Sequence, residues 1–265
     1  MISVPVVTSV DGVRIEYSVE GTGPPLLFHV GAACNASVWR RGGHIQALSQ
    51  SHTCVLMDRR GQGDSDHPRG AEANHIDRCT GDVIAVLDAL KISSTAMWAN
   101  GSGITVMLRA AEQHPERFSS LIGSGTVANI LERDLLELVP ARIADFRTNG
   151  WQTLLTNIDR YDPGVPQWLK ECISGTDLEP HIGWWESLVE WHWNPLDALP
   201  RLSPPMLLLV GELEDPDDEM AQAVAGMQRG VRVRVPGKGH LTGLLDLDFV
   251  LPYVTDFLRR HNPTN

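Results

Sequence analysis

The chain has 265 residues, of which 42% are hydrophobic and 21% charged, as is typical of a globular protein that buries a sizeable core. Its formal net charge of −11 argues against a nucleic-acid partner, because phosphate binding depends on clustered lysine and arginine. The sequence contains no run of about 18 apolar residues, so no membrane-spanning segment is predicted.

The N-terminal residues and the cysteines both indicate a cytoplasmic protein. Residues 1–4 lead straight into a strand-like run, without the basic start and apolar core of a secretion signal. The four cysteines show neither CxxC nor histidine-rich spacing, which predicts reduced thiols rather than a disulfide or metal site. These cysteines are Cys34, Cys54, Cys79 and Cys172. We expect no metal and no cofactor.

Strands and helices alternate along most of the chain. Short apolar runs predict strands at residues 4–8, 13–19, 25–30, 53–58, 95–98, 118–123, 206–211 and 231–235. Amphipathic runs predict helices at residues 39–48, 75–90, 103–113, 220–227 and 249–260. This alternation indicates an α/β fold in which helices cover both faces of a mostly parallel sheet.

A helical block at residues 126–200 interrupts this alternation, between core residues 1–125 and 201–265. It contains six of the eight tryptophans: Trp151, Trp168, Trp184, Trp185, Trp191 and Trp193. We interpret the block as a cap over a site. Most of these rings are expected to pack inside the cap. Those from Trp184 to Trp193 are expected to line an apolar or aromatic pocket.

Residues 97–104 have the form of a nucleophile elbow that lacks its nucleophile. In the usual small-x-Ser-x-Gly pattern, the serine lies on a strained turn between a strand and a helix. Ala99 and Gly103 occupy the two small positions, so Gly101 stands where the serine is expected.

Four separated motifs resemble the α/β-hydrolase fold family. Residues 58–65 match its D-x-R-G-x-G-x-S loop, and residues 99–103 match its elbow, at the usual distance before the His-Pro-Glu-Arg of residues 114–117. Residues 211–216 and 236–240 are similar to the turns that present the catalytic acid and histidine. The resemblance implies an eight-stranded, mostly parallel sheet with helices on both faces and an inserted helical cap.

The resemblance also implies the catalytic roles. His240 would be the base, and Asp215 would orient its imidazole and stabilise the imidazolium. Glu214 is the rival acid, because the turn has one residue more than the commonest spacing. The acidic residues 217–219 are interpreted as a solvated face.

Backbone amides are expected to form the oxyanion hole. The residue after the nucleophile position, Ser102, donates one N–H, and the loop after the third strand donates the other. Taking Gly31 as the family glycine makes Ala32 that second donor. The nearby His29 is interpreted as structural. Substrate-binding roles are expected for Gly31 and for four tryptophans: Trp98, Trp184, Trp185 and Trp191.

The glycine at position 101 leaves three interpretations open. The first is an inactivated serine enzyme, in which the small replacement leaves room for intact substrate. The second is a natural loss of covalent catalysis, after which His240 activates water or acts as an acid/base in another reaction. The third is that Ser102 attacks instead. This is disfavoured because Asn100 and Ile104 would then crowd the elbow; Ser102 otherwise caps the helix or lines the pocket.

Among family members, the elbow and residues 21–24 are loosely similar to zearalenone-type lactone hydrolases, which would align Gly101 with their nucleophile. We therefore predict a carboxylic ester or lactone hydrolase with a Ser-His-Asp type site, which acts on a small apolar or aromatic substrate. With Gly101 in place, the chain is expected to be slow or inactive. The alternatives are a non-hydrolytic lyase or cyclase that uses His240 as acid/base, and a catalytically silent ligand-binding member.

Overall fold

An eight-stranded sheet forms the centre of the molecule. The computed structural model describes residues 5–31, 33–125, 135–214, 224 and 226–262. The strands are β1 (Val6–Thr8), β2 (Arg14–Glu20), β3 (Pro25–His29), β4 (Thr53–Met57), β5 (Thr95–Asn100), β6 (Phe118–Ser124), β7 (Met206–Gly211) and β8 (Gly230–Val235). All eight predicted strands are present, with ends that differ by a few residues.

The strand order is β1-β2-β4-β3-β5-β6-β7-β8. β1 pairs antiparallel with β2, which pairs antiparallel with β4, whereas every pairing from β4 to β8 is parallel. Every residue of β5 and β7 is buried, as expected of parallel strands covered on both faces. The predicted mostly parallel, eight-stranded α/β-hydrolase fold is thus confirmed.

Helices cover the sheet, and they also make up the described part of the sequence between β6 and β7, which are themselves paired. They are α1 (Ser37–Arg41), α2 (His44–Leu48), α3 (Ile76–Ala89), α4 (Ser102–Gln113), α5 (Leu135–Asn149), α6 (Gln152–Tyr161), α7 (Gln167–Ser174), α8 (Leu178–Ser187), α9 (Pro195–Ala198), α10 (His240–Leu245) and α11 (Leu247–His261). Short 3-10 turns occur at Glu72–Asn74, Pro115–Arg117, Leu188–Glu190 and Leu199–Arg201. None of the described helices is long and apolar enough to cross a lipid bilayer.

The predicted helix at residues 39–48 is two helices in the structure. The break falls at Gly42 and Gly43, and Gly43 has a φ of +86°, a conformation that glycine adopts without a steric penalty. The predicted helix at residues 220–227 falls largely outside the described residues.

The core has two layers, one on each face of the sheet. Leu27 and Val55 pack with α3 and α4, whereas Leu26 and Phe28 pack with α1, α2 and α11. This division follows from the alternation of side chains along a strand.

Between β6 and β7, every element of the described residues 135–201 is helical, and we call these residues the helical insertion. Its role as a cap, and the division of the chain into residues 126–200 and a core of residues 1–125 and 201–265, stay predictions.

Candidate active site

Gly101 forms the turn between β5 and α4, at the carboxyl end of the central strands. Its φ of +54° and ψ of −128° lie in a region that residues with a side chain rarely adopt. The Gly101 N–H donates to the Ser124 carbonyl at 3.1 Å, and the Gly101 carbonyl accepts from the Ile104 N–H at 2.9 Å. The end of β6 and the first turn of α4 therefore hold this turn in place.

The turn leaves no room for large neighbours. A Cβ atom at Gly103 would lie 2.8 Å from Nδ1 of His29, so the small residue expected at this position is required sterically.

Position 101 faces His240. A Cβ atom at Gly101 would lie 3.0 Å from Nε2 of His240 and 3.5 Å from its Cε1. The ring also approaches Gly125, which has a φ of +94° and where a Cβ atom would overlap the imidazole. Two glycines, each at a strand end, thus make the space that the ring occupies.

Glu214 is hydrogen-bonded to the opposite edge of the imidazole. Its Oε2 lies 2.7 Å from Nδ1 of His240, and its Oε1 accepts from the Gly211 N–H at 2.9 Å. With Nδ1–H donating to Glu214, Nε2 is the free acceptor on the side of Gly101. The Glu214 side chain is 10% exposed and the His240 side chain 34%, so the carboxylate is shielded while the imidazole is partly open to solvent.

The surroundings of His240 set its protonation. Burial lowers the pKa of the imidazole, but the Glu214 carboxylate and its hydrogen bond raise it, and the Asp162 carboxylate raises it further. The net effect is a pKa above the ordinary value of 6.5.

The acid proposed from the sequence does not lie within the described part of the chain. Asp215 was favoured, but the described residues bring its rival Glu214 to His240. A tight turn explains the position of Glu214, whose N–H donates to the Gly211 carbonyl at 3.2 Å, while the Leu213 N–H donates to Lys238. The chain therefore folds back over the end of β7 within three residues.

The loop after β3 lies against the elbow. A Cβ atom at Gly31 would lie 3.1 Å from the Asn100 carbonyl and 3.5 Å from the Ser102 nitrogen. The Gln62 side chain donates to the Gly31 carbonyl at 2.9 Å and so fixes this peptide. Ala32 lies outside the described residues, and its role as second oxyanion donor stays a prediction. Gln62 stands at a variable position of the motif at residues 58–65, so the sequence pattern does not single it out.

Ser102 is the first residue of α4, and its hydroxyl points towards Arg59. Nη1 of Arg59 lies 3.5 Å from Ser102 Oγ, and its guanidinium stacks on the Trp184 ring at 3.8 Å from the centroid. Burial lowers the pKa of Arg59, which nevertheless keeps a positive charge close to the elbow. His29, also buried here, has a pKa lowered to about 3 by burial and by Arg59, so it is neutral.

The tryptophans divide between packing positions and the insertion surface. Trp98 is fully buried in the core, where its Nε1 donates to Ser124 Oγ at 2.8 Å, so its predicted substrate-binding role is not supported by its position. Trp184 is also buried, and its ring centroid lies 5.0 Å from that of Trp191. Trp185 is partly exposed and donates to His181 at 2.9 Å.

No group of three or more His, Cys, Asp or Glu side chains in the described ranges is arranged to hold a metal ion. The site contains a histidine–carboxylate pair, a helix N-terminus, and a turn at which glycine leaves the side-chain position empty. This set of groups can move a proton and stabilise a developing oxyanion.

The fold and these groups match a known family. Residues 24–230 match the family model described as alpha/beta hydrolase fold, and the chain belongs to this family. An epoxide hydrolase from Caballeronia sordidicola is 34% identical over 113 residues, which are 43% of this chain and 34% of that protein. The chain thus spans about a third of the length of this curated relative.

Solved structures agree over nearly the whole chain. A thermophilic esterase from Thermogutta terrifontis superposes with a TM-score of 0.85 at 20% identity, covering 98% of this chain and 99% of the esterase. The bottromycin epimerase BotH superposes with a TM-score of 0.84 at 20% identity, covering 97% and 99%. At these identities the likeness shows the fold alone.

Proposed function

We propose that the chain belongs to a carboxylic ester or lactone hydrolase whose nucleophile position is occupied by Gly101. The observation that carries the proposal is the line from Gly101 through His240 to Glu214. A Cβ atom at Gly101 would lie 3.0 Å from Nε2 of His240, and Nδ1 of His240 lies 2.7 Å from the Glu214 carboxylate. A serine at this position would have the base–acid pair that acyl transfer requires.

With Gly101 in place, the proposed reaction is direct hydrolysis. His240 Nε2 takes a proton from water while the water oxygen bonds to the substrate carbonyl carbon. The Ser102 N–H stabilises the resulting oxyanion. When the oxyanion collapses, the bond to the alcohol oxygen breaks, and His240 returns the proton to that oxygen. Glu214 stabilises the imidazolium between these two steps. Without a covalent intermediate, this route is slow compared with a serine enzyme.

The comparisons support hydrolysis as the reaction class, because a relative and a structural neighbour are named as an epoxide hydrolase and an esterase. The substrate class remains part of the proposal. We propose that Gly31 and the tryptophans of the insertion, Trp184, Trp185 and Trp191, contribute to an apolar, aromatic-tolerant binding site. The zearalenone-type likeness remains a basis for including macrolactones among test substrates.

The decisive experiment compares the chain with Gly101→Ser and Gly101→Ala on aryl esters and a macrolactone panel. Both variants add a Cβ atom at the same strained φ, and only the serine adds a hydroxyl. We expect Gly101→Ser to gain activity that Gly101→Ala lacks and that His240→Ala abolishes in the serine background. The ester and lactone proposal would be refuted if no variant turns over any substrate and a serine-directed phosphonate does not label Gly101→Ser.

A second candidate is acid/base chemistry without hydrolysis. The observation that favours it is the intact His240–Glu214 pair facing a position that carries no nucleophile, which is a sufficient arrangement for moving a proton on a bound substrate. The structural neighbour named as an epimerase supports including this class. It predicts exchange of a substrate C–H proton with deuterated water that is lost in His240→Ala. Ligand binding that survives His240→Ala, without any turnover, would instead favour a silent binding protein.

A further inference from the structure

The segment that carries His240 is bound to a carboxylate of the helical insertion. Asp162, the residue after α6, is 5% exposed. Its Oδ2 accepts from the Leu241 N–H at 2.5 Å and from the Thr242 N–H at 3.1 Å, and its Oδ1 accepts from the Thr242 hydroxyl. One buried carboxylate therefore receives three hydrogen bonds from the two residues that follow His240.

The same contact extends to the residue before His240. The Gly239 N–H donates to Thr242 Oγ1 at 2.9 Å, and a Cβ atom at Gly239 would overlap the Asp162 carboxylate. Asp162 itself is held by its N–H, which donates to the Ile158 carbonyl at 2.9 Å. The backbone after His240 is thus bound directly to Asp162 at the end of α6, and Gly239 is linked to it through the Thr242 hydroxyl.

We propose that Asp162 is a positioning residue, which holds the His240 turn at the elbow and whose negative charge stabilises the imidazolium. This inference rests on the proposed role of His240 as base. It makes the helical insertion part of the catalytic apparatus, in addition to any role as a cover for substrate.

The charge of Asp162 acts on His240 together with one other described carboxylate, that of Glu214. Both raise the pKa of the imidazole, against the effect of burial. The other charged side chains on this segment, Lys238 and Asp246, lie 3.3 Å from each other and form their own ion pair. The two glycines that approach the ring, Gly101 and Gly125, carry no charge.

The test is an NMR titration of His240 in the full chain, with its imidazole signal identified by its loss in His240→Gln. We expect the titration midpoint to move to lower pH in Asp162→Asn, which keeps an oxygen acceptor but loses the negative charge. The matched control is Asp159→Asn, which removes an exposed carboxylate, paired with Lys170, from the same helix. The control is expected to leave the midpoint unchanged. An unchanged midpoint in Asp162→Asn would overturn the proposal.

Two further measurements separate anchoring from charge. Asp162→Ala removes the acceptor, so amide exchange at Leu241 and Thr242 is expected to become faster. Gly239→Ala displaces the carboxylate without changing residue 162, and is expected to lower the His240 midpoint in the same direction. If Asp162→Ala does not fold, the Asp162→Asn and Gly239→Ala titrations decide the question.

Activity gives an independent readout. In the Gly101→Ser background, Asp162→Ala is expected to lower kcat by about 10²-fold with a smaller effect on KM, since a misplacement of about 1 Å has this effect. A shifted titration with no ester turnover in any serine variant would leave Asp162 as a positioning residue and remove the hydrolase proposal. Ester turnover in the serine variants, together with an unshifted His240 titration in Asp162→Asn, would support the hydrolase proposal and overturn the role of Asp162.

Discussion

Nε2 of His240 faces Gly101. A Cβ atom at Gly101 would lie 3.0 Å from this nitrogen. Replacing Gly101 by any other residue should reduce stability, because φ at this position is +54° and a Cβ atom would press on the imidazole. Family elbows accept such strain for the sake of the nucleophile. This geometry is the basis for proposing that a serine at position 101 would serve as nucleophile.

Gly101→Ser is expected to raise ester turnover by at least about 100-fold, since triad knockouts lose far more than this in the same chemistry. It is also expected to reduce the free energy of unfolding by about 1–3 kcal/mol, the usual cost of a strained backbone conformation. Initial rates on aryl esters and urea unfolding measure the two effects. Gly101→Ala is the matched control. Gly101→Ala should show the same loss of stability without the gain in ester turnover. Equal turnover in Gly101→Ser and Gly101→Ala would contradict the prediction.

Glu214→Gln and Asp215→Asn distinguish the two candidate acids. In the Gly101→Ser background, turnover requires a neutral His240, so it declines as pH falls through the raised pKa of the imidazole. Removing the Glu214 charge is expected to move this acid limb of kcat/KM to lower pH and to reduce the rate. Asp215→Asn is expected to leave the limb in place. If the acid limb of the kcat/KM profile moves only in Asp215→Asn, the catalytic acid is Asp215.

The sequence could predict the fold because its signals are local. Eight apolar runs mark eight strands, and the pattern around Gly101 marks a turn whose neighbours must be small, as the close approach of Gly103 to His29 shows. The choice between Glu214 and Asp215 depends on hydrogen bonds that close the turn after β7, which spacing alone does not specify. Asp162 was out of reach, because it contacts Leu241 across 79 residues and follows a helix that has no motif.

The raised pKa of His240 also predicts a pH dependence of stability. A group whose pKa is higher in the folded than in the unfolded chain contributes stability below the unfolded value, here about 6.5. This contribution is lost as pH rises through the folded pKa, which lies above 6.5. The stability difference between the chain and His240→Gln is therefore expected to shrink as pH rises through this range. Urea unfolding of both proteins at several pH values measures it, and a difference that grows with pH would contradict the sign.

Arg60, in the loop after β4, forms a buried ion pair with Asp82 of α3, with side chains 0% and 1% exposed. The Arg60 guanidinium also binds Asp11, so Asp82→Ala would leave a buried positive charge half-paired. We expect a loss of about 3–5 kcal/mol in the free energy of unfolding. The matched control is Asp88→Ala on the same helix, which breaks the ion pair of Arg117 with a carboxylate that is 64% exposed. It is expected to cost at most about 1 kcal/mol, and equal losses would count against the burial argument.

Cys172 is expected to be the most reactive thiol in the chain. Interaction with the Cys34 side chain lowers the pKa of the Cys172 thiol. Burial raises it, and the Asn35 backbone and the Ser37 side chain lower it further, to about 6. By contrast, burial raises the pKa of Cys54 to about 12 and also raises that of Cys79. Because the thiolate is the reacting form, iodoacetamide at neutral pH is expected to label Cys172 first.

Two variants of Cys34 test the cause of this reactivity. Cys34→Ala removes the hydrogen-bond donor, so the pKa of Cys172 should rise and its alkylation at neutral pH should slow. Cys34→Ser keeps a hydroxyl donor in the same place and should retain most of the rate. Peptide mapping by mass spectrometry after timed alkylation gives the rate at each cysteine. Equal rates at Cys172 in the alanine and serine variants would show that the neighbouring thiol does not activate it.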